Sequence, residues 1–96
     1  MLWLAAAIFA ALLLVAPIAR ADDADDQFIN ALAAQGITGD REQLIADGHA
    51  ACEAYGTARM IVVMMEITGQ GFDKTQAFDV IHAGLRAYCP EKAPPQ

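Results

Sequence analysis

From Asp22 onward, apolar residues recur at helical spacing, and the pattern breaks at Gly36, Gly56, Gly69 and Pro90. In "DDADDQFINALAAQG", Phe28, Ile29, Leu32 and Ala33 fall on one stripe of a 3.6-residue period. The leading aspartates suit the positive end of a helix dipole, and Gly36 suits the position just past a helix C-terminus. "DREQLIADGHAACEAYG" follows with Asp40 as N-cap and Gln43 as capping-box partner; Leu44, Gly48, Cys52 and Tyr55 share its inner face. "TARMIVVMMEITG" runs from Thr57 as N-cap to Gly69 as terminator. "DKTQAFDVIHAGLRAYCP" repeats the capping pattern with Asp73 and Gln76. Its inner face carries Phe78, Ile81, Leu85 and Tyr88 or Cys89, and Pro90 closes it. No stretch alternates with the two-residue period of a strand. The pattern predicts an all-α fold, a small four-helix domain over residues 22–90, with "EKAPPQ" (91–96) as a disordered tail.

The first 21 residues follow another rule. Met1 to Ala16 is an unbroken apolar run of sixteen residues, Pro17 ends it, and Ala19 and Ala21 satisfy the small-residue requirement of signal peptidase. This predicts a signal-peptide helix cleaved after Ala21. A retained membrane helix is the alternative, and the run is slightly short for one. Met1 to Ala19 contains no Lys or Arg, so an ordinary basic n-region is missing. Its charge falls to the amino terminus or to residues upstream. A lipid anchor is not expected, because no cysteine stands at the cleavage site and Cys52 and Cys89 lie deep in the chain.

Charge and cysteine content narrow the picture. The 75 residues from Asp22 to Gln96 hold five basic and twelve acidic side chains, a net charge of −7. Nucleic acid and anionic membranes present phosphates that need Lys and Arg, so neither is an expected partner. Contact with a membrane is expected only through an uncleaved leader. A domain this short has a marginal core. Its two cysteines, in an exported chain, are read first as one disulfide, with a free thiol or an intermolecular bond as alternatives. There is no C-x-x-C redox motif, and two cysteines are too few for a structural zinc site.

"DDQFINALAAQGI", "LIADGHAAC" and "TQAFDVIHAGLRAYCP" together resemble the small secreted mycobacterial family catalogued as domain of unknown function 732. In that family a Phe-containing first helix ends in Gly-Ile, a Gly-containing helix carries the first cysteine, and Tyr-Cys-Pro closes the last helix. The resemblance covers residues 22 to 90. It implies an exported helical domain, secreted or in the cell envelope, with Cys52 paired to Cys89. It implies no activity.

Candidate sites are few. "MIVVMMEI" offers Met60, Ile61, Val62, Met64 and Met65 beside Val63, apolar on every side of a helix. Such a helix is either a central core element or an apolar contact surface, to which flexible methionine is suited. The partner would be another protein, a second copy of the chain, or a small apolar ligand. His49 and His82, with Tyr55 or Tyr88, are candidate ligands if the protein carries haem or another small apolar molecule such as lipid, although no local metal motif supports this. Solvated helix faces account for both histidines equally well. The cluster Asp22, Asp23, Asp25 and Asp26 suits a helix start, and no EF-hand loop follows. With no serine in the chain and both cysteines expected to be paired, the usual nucleophiles are missing, so no enzyme and no cofactor are expected. The exported protein is expected to begin at Asp22, which intact mass measurement and N-terminal sequencing would verify. Full-length chain recovered from membranes would instead establish the retained helix.

Overall fold

The computed structural model describes residues 21–94. The apolar leader lies outside the described residues except for Ala21, as do Pro95 and Gln96. Four helices follow in order, α1 Ala21–Ala34, α2 Arg41–Ala54, α3 Met60–Gly69 and α4 Lys74–Tyr88, with a short 3-10 turn at Pro90–Lys92. No strand occurs among the described residues. No described helix is long and apolar enough to cross a membrane.

Local rules set most of the boundaries. α1 stops in a Schellman turn: Ile37 N donates to Leu32 O and Gly36 N to Ala33 O, while Gly36 takes φ of 79°. Ile37 and Leu32, the pair that accompanies this motif, are both buried. α4 begins with the expected capping box. Gln76 N donates to Asp73 Oδ1 at 2.8 Å, and the Gln76 side chain accepts from Asp73 N at 3.0 Å.

Four boundary expectations need correction. Asp40 caps α2 by accepting from Glu42 N, but Gln43 does not complete a box; it donates to Asp47 instead. Thr57 does not cap α3. Its hydroxyl donates to Ala54 O at 2.6 Å, a tight turn follows, and the helix starts at Met60 after Arg59. Gly69 is the last residue of α3, but the left-handed exit falls on Gly71, with φ of 104°. Residues 91–96 were expected to form a disordered tail, of which 91–94 are described. Glu91 and Lys92 belong to the 3-10 turn instead, and Lys92 Nζ donates to Cys52 O at 2.8 Å.

α4 is the central helix. It packs against α1, α2 and α3, and buries Ala77, Val80, Ile81, Ala83, Gly84 and Leu85. Small residues allow this. A Cβ placed on Gly84 would lie 2.7 Å from Gly48 Cα and 2.9 Å from Gly48 O, so α2 and α4 meet backbone to backbone. On the other side of the crossing, a Cβ on Gly48 would meet Tyr88 Cε2 at 2.9 Å and Phe28 Cζ at 3.1 Å. One turn further along both helices, Cys52 and Cys89 form a disulfide with Cα atoms 6.0 Å apart. It closes a sequence separation of 37 residues, for which the chain-entropy treatment gives about 4 kcal/mol of stabilisation. Phe28, Leu32, Ile67, Val80 and Leu85 are the largest fully buried side chains, drawn from α1, α3 and α4 around this clamp.

Gly84→Ala is expected to destabilise the oxidised protein by about 2 kcal/mol, although alanine is the better helix former. Gly48→Ala is expected to cost less, because its Cβ meets ring edges rather than backbone. Urea unfolding of the two variants checks the order. Wild-type stability in Gly84→Ala would show that the crossing has room to spare.

Candidate functional site

α3 turns only Val63 and Ile67 fully inward. Ile61 is 68% exposed, Met65 66% and Val62 51%, while Met60 and Met64 are half-buried at the edge. At about 100° per residue, Ile61, Met65 and Val62 span the side opposite the two buried anchors. The open face of α3 continues onto α4 through Phe78, which is 52% exposed. Met60, Ile61, Met64, Met65 and Phe78 line a shallow depression of about 280 Å³ with an entirely apolar lining.

Phe78 corrects a sequence expectation. It was placed on the inner face of α4 because it sits seven residues before Leu85, on the same side of the helix. Leu85 is fully buried, but two turns earlier the neighbouring bundle leaves that side open, and Phe78 lies at the rim with α3. Helical phase identified the side and not how far along the axis the neighbours extend. Four residues on, His82 stands beside Phe78, the two rings tilted with centroids 6.2 Å apart.

The possible ligand residues do not converge. His49 stacks on Tyr88, with ring centroids 3.9 Å apart, whereas His82 stands beside Phe78. Residues 82 and 88 are separated by about 9 Å of rise and about 120° around the helix axis, so the two histidines serve different sides of α4. Tyr55, expected on the inner face of α2, is the C-cap residue and 37% exposed. Tyr88 is committed to structure. Its hydroxyl donates to Asp25, its ring tilts against Phe28, and burial and then the bonded carboxylate push its pKa up. It thereby holds α1 against α4. Among the described residues no three His, Cys, Asp or Glu side chains gather as metal ligands.

Sequence reading missed Asp47. It is 4% exposed, and its Oδ1 accepts from Gln43 Nε2 at 3.1 Å and from Gln70 Nε2 at 3.2 Å. Oδ2 has no protein partner. The two glutamines also line an open cleft of about 450 Å³ between the loops before α2 and after α3, with Phe72 on its wall. Burial raises the Asp47 pKa, the two amide bonds oppose that, and the nearby Glu66 charge adds to it. The signal for Asp47 was its register, three residues from Leu44 and four from Ala51, which places it between core positions.

A family model described as "Protein of unknown function (DUF732)" matches residues 23–91, almost the whole described domain. No curated protein matches the chain. No solved structure matches it either.

Asp47→Asn keeps both amide bonds and removes a buried charge, but sets an amide NH2 where Oδ2 has no protein partner, so its stability relative to wild type is expected to rise with pH. The sign follows from proton binding. With the folded pKa raised, the folded state holds the proton over a range in which the unfolded chain has lost it, so wild-type stability falls as pH rises through that range. The difference between variant and wild type should be constant below about pH 4, the ordinary carboxylate range, and shift in favour of the variant as pH rises through the raised pKa. Melting temperatures across pH provide the comparison. A difference that does not change with pH would mean that the charge is solvated in the folded state.

Proposed function

Since the chain belongs to the DUF732 family, which is defined without a function, we propose one from its surface: a disulfide-stapled helical module, working outside the cytoplasm, that binds a protein partner through the outward face of α3. One observation carries this reading. Ile61, Val62, Met65 and Phe78 are each at least half exposed, and Ile61, Met65 and Phe78 line one apolar depression with Val62 beside it on α3. A monomer seldom leaves more than a few hundred Å² of contiguous apolar surface without a use.

The leader pattern and the Cys52–Cys89 bond support export, since disulfides persist in oxidising compartments. The resemblance to secreted mycobacterial proteins points the same way. A protein partner fits better than a small apolar ligand. Pockets for such ligands usually enclose most of the molecule within about 300–1,000 Å³, whereas the depression beside Phe78 is smaller and open. The net charge of −7 over residues 22–96 speaks against nucleic acid. Binding rather than catalysis is proposed, because the polar side chains that do meet, Asp25 with Tyr88 and Asp47 with two glutamines, are engaged in holding helices together.

The test is a photo-crosslinking residue at Met65, with the same residue at exposed Glu53 as control, in the producing cell. Adducts are expected from Met65 and not from Glu53, and Ile61→Lys should abolish them while leaving the melting temperature unchanged. Absence of any Met65-specific adduct, or unfolding by Ile61→Lys, would reduce α3 to a structural element.

A further inference from the structure

Arg59 and Glu66 bracket the open face of α3, and their placement limits what can cover it. Arg59 is the N-cap residue of α3 and already has helical dihedrals, φ −67° and ψ −15°, so it continues the phase of the helix. Glu66 follows seven residues later, on the same side and about 10.5 Å along the axis, too far for the two to pair with each other. Both are exposed. Val62 lies between them at the edge of the apolar surface. The two flanks of that surface therefore differ. At about 100° per residue, Arg59 and Glu66 fall on the flank of the open face that lies away from Met60 and Met64, and hence away from α4. Met60, Met64 and Phe78 make the flank on the α4 side apolar.

Resting on the reading of α3 as a binding face, we propose that its partner is a second copy of this chain, with the two α3 helices packed antiparallel across a twofold axis. A twofold contact is self-complementary: if residue i touches residue j, then j touches i. In an antiparallel pair like flanks face each other. Arg59 then meets the second copy's Glu66, and Glu66 meets the second copy's Arg59, so one sequence pattern yields two ion pairs. The same register sets Ile61 against the second copy's Met65 and brings the two Phe78 flanks together. A parallel pair would instead set the charged flank of one copy against the apolar flank of the other. The copies also repel through their net charge, but at about 0.15 M salt the screening length is near 8 Å, which weakens that repulsion and spares ion pairs in contact. The apolar surface is small beside the roughly 800 Å² per partner of a standard interface, so the dimer is weak, with Kd between about 10 µM and 1 mM.

Sedimentation equilibrium of the secreted, oxidised protein tests this. The wild type is expected to follow a monomer–dimer curve. Arg59→Glu turns both ion pairs into Glu–Glu contacts, and Glu66→Arg turns both into Arg–Arg contacts. Each variant alone should weaken the dimer about tenfold while keeping the wild-type melting temperature. An equimolar mixture of the two variants should recover wild-type affinity, because one copy then offers only acids and the other only bases. A wild type that stays monomeric to about 1 mM would overturn self-pairing. Met65 adducts of a different mass in the crosslinking experiment would still support α3 as a binding face. A dimer that the mixture does not restore would overturn the antiparallel arrangement. A dimer indifferent to Ile61→Lys would place the interface elsewhere.

Discussion

At the crossing of α2 and α4 no side chain separates the two backbones: a Cβ on Gly84 would stand 2.7 Å from Gly48 Cα. The rest of the structure depends on that approach. It brings Cys52 and Cys89 within bonding distance, so the covalent clamp fastens a contact that packing has already made. It leaves just enough room beside Gly48 for the edges of Tyr88 and Phe28, and these carry α1 onto the pair. Tyr88 then fixes α1 a second time through Asp25 and is covered by His49. A domain of this size has little core to spare. Close approach of two helices compensates, because it raises the density of van der Waals contacts per residue without requiring large side chains.

The same constraint sends α3 outward. Since α4 meets α2 through glycine and presents alanine at positions 77 and 83, it can be surrounded by three helices. Its own residues fill the centre. α3 is the most apolar of the four, yet it contributes only Val63 and Ile67 to the fully buried set. Position in the bundle therefore follows side-chain size at the crossing rather than the apolar content of each helix.

That distinction marks what could be read from sequence. The helix count, the all-α class, the Asp73–Gln76 box and the Gly36 stop were legible because each is a local rule satisfied by residues within a few positions of one another. Thr57 misled because its hydroxyl donates back to Ala54 O while accepting from Arg59 N, so it closes a turn ahead of α3 and the helix begins only after Arg59. Gln43 misled in the same manner once Asp47 competed for it. Phe78 and Tyr55 were assigned inward by phase alone, although phase carries no information about where a neighbouring helix ends. Asp47 escaped notice because a lone aspartate on a helix is ordinarily solvated. Its burial depends on Gln70, twenty-three residues away, and no local pattern encodes that meeting. Within the open face, Ile61, Val62 and Met65 were identifiable as surplus apolar residues, whereas Phe78's part in it required the packing of α3 on α4.

Local consistency holds over most of the described residues, which gives the largest breach on the surface meaning. The outward side of α2 carries Arg41, Glu42, His49 and Glu53, as a solvent-facing helix should. The outward side of α3 carries Ile61, Val62 and Met65. Two of these are β-branched and somewhat unfavourable in a helix, and all three expose apolar surface that lysine or glutamate would solubilise at no cost to the core. Nothing inside the domain needs them, since Val63 and Ile67 already anchor α3. Sequences tend to break a local rule where function requires the residue that breaks it. Because the clamp at Gly48 and Gly84 holds the remaining helices independently of α3's outer face, that face can carry residues chosen for binding without weakening the fold beneath it.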